Sequence, residues 1–425
     1  MSIHLISKAN IAEHLTIDVP PSDSPLKPSS VRIRSSLLSL TSNNLSYALL
    51  GTYMHWWDTC PVPLTLPPPY NNPSDYGIVP AWGLATVLDS TIPSLTPGTI
   101  LWGFWPTGSH AFDLTLTPAE LPGHYKEVSA HRKDVLPLYN RYRVFDTQGN
   151  DLSTFGWDAA VGTIFVAGYL LAEYMFTPDP ASHPAIHPSE PGALEWKASD
   201  ADLSKSIFVS LGASTKTARS TAFNFFARSP GTEPLGLLQF TSSVDALSEA
   251  AAKGSPNFAV GTLPYSDVEL AGKWIAGLEL ETKIERVVVA DFGSRDGVLV
   301  GVVEDIRGNE RLKGVEVVVL AVGGQQKVYS FDEIMAEQAM LASLNRVQMN
   351  TSPAYEEAIK LVGAEEFYRG VQERWNSWLE NREAAAPDLR LVWGGGVAGE
   401  EGIEGCWGKL CGSKVRPEEA HVFRI

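Results

Sequence analysis

Between Tyr53 and Asp58 the chain reads Tyr-Met-His-Trp-Trp-Asp, which places an imidazole and a carboxylate among large rings. A histidine titrating near neutrality can take or give a proton, and an arginine can hold a developing enolate or phenolate oxygen. On those grounds His55, Asp58, His110, His131 and Arg132 form the candidate catalytic set. Each has a plainer alternative: a lone histidine is often a satisfied structural group, and Arg132 could anchor a loop.

The same half of the chain is rich in rings. Tyr53, Trp56, Trp57, Trp82, Trp105, Tyr139 and Tyr142 are candidate substrate-binding residues, with Tyr70, Trp102 and Phe104 nearby in sequence. Such rings can equally fill a core. On a strand, however, Trp56 and Trp57 cannot both point inward, so one of them is expected to face a cleft. An aromatic-walled cavity suits a flat or terpenoid-like apolar ligand.

Other chemistry finds less support. Three cysteines, Cys60, Cys406 and Cys411, are too few for a disulfide framework. His183 and His187 sit four apart, but Pro184 and Pro188 argue against a helical metal pair and for a solvated loop over 179–191.

The elements that must position these residues follow from composition. The 425 residues are 44% hydrophobic and 19% charged, enough for a sizeable core and more than one domain. A net charge of −16 without a basic block excludes nucleic acid and anionic membrane surfaces as natural partners. The opening segment MSIHLISKAN lacks a signal-peptide core, and the apolar stretch Trp157 to Phe176 carries Asp158 and Glu173, so a buried helix and a cytoplasmic protein are expected. Residues 1–175 show short β-like runs between proline and glycine turns, which suggests a partly closed β-structure.

From Lys205 the pattern changes. Ile207–Leu211, Leu235–Phe240, Phe258–Gly261, Val287–Ala290 and Val315–Val322 are unbroken apolar runs separated by helical segments. Such runs are buried on both faces and predict a doubly wound parallel sheet over 200–325. Helices are expected over 332–346 and 355–381, with a glycine-rich tail over 394–412, in a C-terminal part spanning 326–425.

In such a sheet a ligand sits at the first β-to-α turn, here Gly212 to Arg219. Gly212 allows a tight turn, and Ser214, Lys216 and Thr217 could hold a phosphate with the helix N-terminus. The three-glycine dinucleotide fingerprint is incomplete, since only Gly212 remains. A nucleoside-triphosphate loop would need glycines where Ser210 and Thr215 stand. After the second strand, Thr241, Ser242 and Ser243 offer hydroxyls without the acid that NAD requires, so any nicotinamide cofactor is expected to be NADPH, with Ser242 touching it.

Several motifs carry a family resemblance. They are Val31 to Gly51, Leu40 to Tyr47, Val79 to Gly83, Pro106 to His110, His131-Arg132 with Leu136 to Tyr142, and Ala213 to Ala218. The first resembles the opening of the medium-chain dehydrogenase/reductase superfamily. Taken together they are similar to a domain-of-unknown-function family distantly related to it, over most of residues 30–330. The resemblance implies a medium-chain reductase-like α/β fold, with a β-rich, partly closed GroES-like catalytic domain, a Rossmann-like domain and a cleft between them. It also implies a zinc-free class, because neither Cys60 with His55 nor the pair Cys406 and Cys411 makes a four-ligand set. Related folds often pair as homodimers through the last strand of the nucleotide domain.

Two mechanisms follow, with a non-catalytic binding protein as a third reading. In one, a secondary-metabolite enzyme orients an apolar substrate for dehydration or cyclisation without a redox cofactor, as the resemblance to fungal hetero-Diels–Alder enzymes implies. In the other, a zinc-independent NADPH-dependent reductase acts on an enone, quinone or ketone. The missing glycines favour the first.

Overall fold

The computed structural model describes all residues except 22–23, 149–150, 181–182, 190–195, 331, 334, 337–338, 340–343 and 345. The helix expected over 332–346 falls largely on those positions, and the loop over 179–191 falls partly on them. Two compact units emerge, each built from more than one stretch of chain.

The first unit comprises Met1–Thr163, Gln326–Val328 and Arg390–Ile425. Strands β1 (Ser2–Ser7) and β2 (His14–Asp18) pair antiparallel, and β4 (Tyr76–Gly77) joins the other edge of β1. A small core of Ile3, Leu5, Cys60, Val62 and Ile78 lies against this sheet. The larger sheet is organised around β3 (Ser30–Leu40), which pairs β5 (Pro80–Ser90) along most of its length. The path continues through β6 (Ile100–Pro106), β9 (Arg141–Val144), β8 (His124–Glu127) and β7 (Phe112–Pro118), and β7 returns to pair Ser30–Ile33 of β3. That return closes the sheet into a barrel.

Two irregularities in β3, between Arg32 and Ile33 and between Ser35 and Leu37, bend the strand as closure demands. Just beyond the second, Gly83 pairs with Leu38, and a Cβ there would stand 2.0 Å from the Leu37 carbonyl oxygen. Val31, Ile33, Leu38, Ala81, Leu101, Phe104 and Trp105 belong to one buried apolar cluster packed on this sheet.

The second unit comprises Ile164–Gln325 and Tyr329–Leu389. Its sheet contains β10 (Ser206–Leu211), β11 (Gly236–Thr241), β12 (Ala259–Pro264), β13 (Arg286–Phe292), β14 (Glu316–Gly323) and β15 (Arg346–Gln348). All pairings are parallel, in the order β12-β11-β10-β13-β14-β15. Every residue of β10 and β11 is buried, as continuous apolar strands require. Helices Lys216–Phe226, Val244–Gly254, Ala271–Ala276 and Val298–Gly308 make the crossovers. The order reverses beside β10, the topological switch point of a doubly wound sheet.

Sequence reading assigned all of 326–425 to a return toward the β-rich domain, whereas residues 329–389 group with the parallel sheet. They carry helices Thr351–Val362 and Ala364–Glu380, separated at Gly363, which takes a left-handed φ of 83°. The glycine-rich tail is more ordered than expected. It contains β16 (Arg390–Gly395) and helix Ile403–Cys411, and β17 (Glu419–Arg424) follows, pairing β16 in parallel and β3 antiparallel.

The apolar stretch around 157–176 is one helical run, Leu152–Met175, long and apolar enough by composition to cross a membrane, but 61% of its most apolar window is buried inside the fold. That burial matches a core helix.

Candidate functional site

Helix Ser42–Leu49 follows β3 and begins at Thr41, whose hydroxyl accepts from the Asn43 amide while Asn44 reaches back to the Thr41 amide. This capping box fixes the helix start, and Tyr47 on that helix is buried in the apolar cluster. Tyr47 accepts a hydrogen bond from Trp82 Nε1 at 3.2 Å and lies edge-on to Trp56, Phe104 and Tyr139. Trp82 stacks on Trp102 with centroids 6.1 Å apart and leans on Tyr139. Trp82 and Trp102 are half-buried, and the rest of the cluster is buried. Burial pushes the Tyr47 phenol up to about 12 and that of Tyr139 well above its ordinary value, so both stay protonated hydrogen-bonding groups at neutral pH.

The chain then turns sharply. His55 takes a left-handed φ of 59° and is followed by a 3₁₀ turn, Trp56–Asp58. Because successive side chains of such a turn point about 120° apart, Trp56 and Trp57 both become buried. The expectation that one of them faces a cleft assumed a strand, and it is corrected here. Trp57 fits against Gly51 and Gly77, where a Cβ would lie 2.5 and 2.1 Å from its ring.

The turn leaves the polar groups outside. His55 Nδ1 and Asp58 Oδ2 are 2.9 Å apart, with side chains 42% and 47% exposed. Tyr53 beside them is 83% exposed. Asp58 also acts electrostatically on Lys8 and His131, so the residue just after β1, the 50s turn and the 130s share one carboxylate. Partial desolvation and the neighbouring Arg132 charge lower the His131 pKa, with Glu127 and then Asp58 opposing them. Lys8 was not legible as a site residue, since nothing in MSIHLISKAN marks it.

Other predicted catalytic groups lie elsewhere. Arg132 is buried in the core, where Nη1 donates to the Tyr142 hydroxyl at 2.7 Å and Nε stands 3.8 Å from Glu127. Tyr142 in turn donates to the Phe104 carbonyl, and Trp105 Nε1 donates to that of Gly83. Arg132, Tyr142 and Trp105 thus brace the barrel. His110 is buried with Nδ1 unpartnered, and burial lowers its pKa to about 4.

In the second unit, Gly212 takes a left-handed φ of 70° at the carboxyl end of β10, against the backbone of Gly293 and Ser294. Thr215 caps the following helix by accepting from the Ala218 amide. Ser214 is buried and its carbonyl accepts from Arg219 Nε, while Lys216 and Thr217 are half-buried in the helix's first turn. Ser242 is exposed after β11, where the Ser243 amide donates to the Thr241 hydroxyl. The nearest acid in sequence is Asp245, exposed in the first turn of the next helix.

Two features of this edge went unread in the sequence. Asp291 accepts from the Gly293 and Ser294 amides at 3.0 and 2.7 Å, and Gly293, at φ 97°, approaches Gly324 so closely that a Cβ would lie 2.3 Å from its oxygen. Arg295 covers the ring of Tyr265, whose phenol burial pushes up to about 12. Among the described residues no cluster of His, Cys, Asp and Glu could hold a metal ion.

A left-handed glycine turn and a helix N-terminus lie at the switch point, and the exposed Ser242 hydroxyl follows the neighbouring strand β11. Gly212, Ser214, Lys216, Thr217 and Ser242 are the residues that could hold a dinucleotide, and the tight turn at Gly212 is compatible with one.

The fold has known counterparts. A mutant enoyl thioester reductase from Candida tropicalis superposes with a TM-score of 0.51 at 12% identity, covering 100% of this chain and 99% of its own. CurA in complex with NADPH from Vibrio vulnificus gives 0.52 at 10% identity, with the same coverage. An Etr1p complex with NADP and crotonyl-CoA gives 0.50 at 11%. These identities establish the fold alone, which is medium-chain reductase-like, with a GroES-like barrel and a Rossmann-like sheet. No curated protein sequence matches the chain. A family model does, over residues 38–416, and the chain therefore belongs to the protein family of unknown function DUF2855.

Proposed function

We propose that this protein is a zinc-independent, NADPH-dependent reductase of an apolar enone, quinone or ketone. The observation that carries the reading is the turn after β10: left-handed Gly212 leading into a capped eleven-residue helix at the switch point of a parallel sheet. The exposed hydroxyl of Ser242, with no carboxylate among Thr241, Ser242 and Ser243, supports NADPH over NADH.

When bound, the cofactor supplies a hydride. The protein's own groups bind and move protons. Asp58 holds His55 at Nδ1, which leaves Nε2 as the atom that gives a proton to a developing oxyanion or takes one back. Trp82 and Trp102, half-buried and stacked, offer ring faces to a flat substrate.

A second reading rests on Ser214 and Thr217, which replace two fingerprint glycines. On it the protein orients an apolar substrate for dehydration or cyclisation, such as a hetero-Diels–Alder reaction, without a redox cofactor. Arg132, Trp105 and Tyr142, catalytic or substrate-binding candidates on both readings, are buried in the core and so favour neither.

Thermal shift with NADPH and NADH, in wild type and Lys216→Ala, separates the readings. The reductase predicts a rise with NADPH that Lys216→Ala weakens. No shift with either nucleotide, together with turnover of an electrophilic apolar substrate in their absence, overturns it.

A further inference from the structure

The second unit holds a cavity of about 290 Å³ that the nucleotide reading does not use. Helices Lys216–Phe226 and Val244–Gly254 run back along the sheet from the carboxyl ends of β10 and β11, so their last turns lie at the opposite end from Gly212 and Ser242. The cavity runs along one face of each helix, from Arg219 and Leu247 near their starts to those last turns, at Phe226 and at Lys253-Gly254, and is lined opposite by helix Ala364–Glu380 and the residues after it; Gly212, Ser214, Lys216, Thr217 and Ser242 take no part in it.

Its walls are of two kinds. Phe223, Phe226 and Leu247 give apolar faces, and Ala222 and Ala250 leave room between them. Of the charged groups that line it, all are cations and none is an acid. Arg219 is satisfied by both carboxylate oxygens of Asp388, and Lys253 by Glu249 at 2.6 Å. Arg374 differs. Its Nε donates to Asn224 Oδ1 at 3.0 Å and its plane covers the Phe223 ring at 4.8 Å, but no carboxylate forms an ion pair with it in the described structure. Burial lowers its pKa, with Glu173 offsetting only part of that effect. A half-buried guanidinium backed by an aromatic face is a site for a planar anion.

We propose that this cavity binds a small monocarboxylate with a flat apolar body of one or two rings, its carboxylate on Arg374 and its body against Phe223, Phe226 and Leu247. The volume sits at the small end of ligand pockets, which excludes a whole dinucleotide.

The test is calorimetric titration of the full chain with 1-naphthoate and with the uncharged 1-naphthamide. Naphthoate is expected to bind at least tenfold more tightly than the amide. Arg374→Gln should remove that preference, and Ala222→Phe, which fills the cavity, should abolish binding of both. Should Arg374→Gln not fold, naphthoate binding to wild type with and without Ala222→Phe still decides the location. Titration of Lys216→Ala keeps the result independent of the nucleotide reading, because naphthoate binding should be unchanged there even if NADPH has no effect on any variant. Equal affinity for acid and amide, binding that survives Ala222→Phe, or competition between naphthoate and NADPH each overturns the proposal.

Discussion

Arg219 grips Asp388 with two parallel hydrogen bonds, 2.7 and 2.9 Å long, across 169 positions of sequence, while its Nε holds the Ser214 carbonyl. One buried guanidinium thereby ties the loop after β10 to the end of the C-terminal helical segment. Asp388→Ala leaves that charge unpaired, and urea unfolding should show a loss on the order of 3 kcal/mol. Arg219→Lys keeps the charge without the fork and should lose less. If Asp388→Ala unfolds at the wild-type midpoint, the pair does not brace the loop.

Arg132 and His131 are adjacent in sequence but differ in role. Arg132→Ala removes a buried cation facing Glu127 and Tyr142 and should destabilise by about 3–5 kcal/mol. His131→Ala, exposed, should stay within about 0.5 kcal/mol of wild type. Thermal melts of the two variants check the contrast, and equal melting temperatures would contradict the buried assignment.

His55 and Asp58 should affect rate without affecting stability. His55→Gln is expected to slow NADPH oxidation by an enone or quinone roughly 10²-fold or more, with an unchanged melting temperature. Asp58→Asn should cost less, because the imidazole remains. A His55→Gln enzyme with wild-type kcat removes the dyad from the mechanism.

Gly293→Ala should destabilise strongly, since the residue is left-handed and a Cβ would meet the Gly324 oxygen at 2.3 Å. A loss of about 2 kcal/mol or more is expected for such a clash, with a weaker NADPH thermal shift. Chemical denaturation measures the first effect, and tolerance of alanine would show that the two loops can separate.

Acid should unfold the protein through buried imidazoles. Burial, with His14 beside it, lowers His4 from 6.5 to about 3, and burial lowers His110 to about 4. Below pH 6.5 the unfolded chain takes up protons at these rings while the folded chain does not. Their contribution is therefore full above pH 6.5, falls as pH drops, and levels off below about 3. His4→Gln should flatten the slope of unfolding free energy between pH 6.5 and 4, and an unaltered slope would exclude His4 as a source.

The parallel sheet was legible because its strands read as unbroken apolar runs: the five runs match β10, β11, β12, β13 and β14 to within three residues at either end. Gly212 was legible because a tight turn needs its freedom. What escaped reading depended on tertiary partners. Trp56 and Trp57 were judged as strand residues, and only the left-handed His55 makes them a 3₁₀ turn. Arg132 and His131 look alike in a sequence, since burial is set by what packs over them. Asp388 and Lys8 carry no local signal, because their partners lie far away along the chain or across it. Tyr47, inside a quoted motif, was not singled out, although the capping pattern Thr41 to Asn44 marks the helix that aims it.

Strand β3 accepts partners on both flanks, and one of them, β17, pairs His421 with Leu40. During synthesis β7 can cover Ser30 to Ile33 of that flank, but Leu37 to Leu40 stay unpaired while residues 164–389 emerge. Long-range pairing of this kind is slow. Until the final strand arrives, Leu37 to Leu40 form an unpaired edge of the kind that invites pairing with another chain.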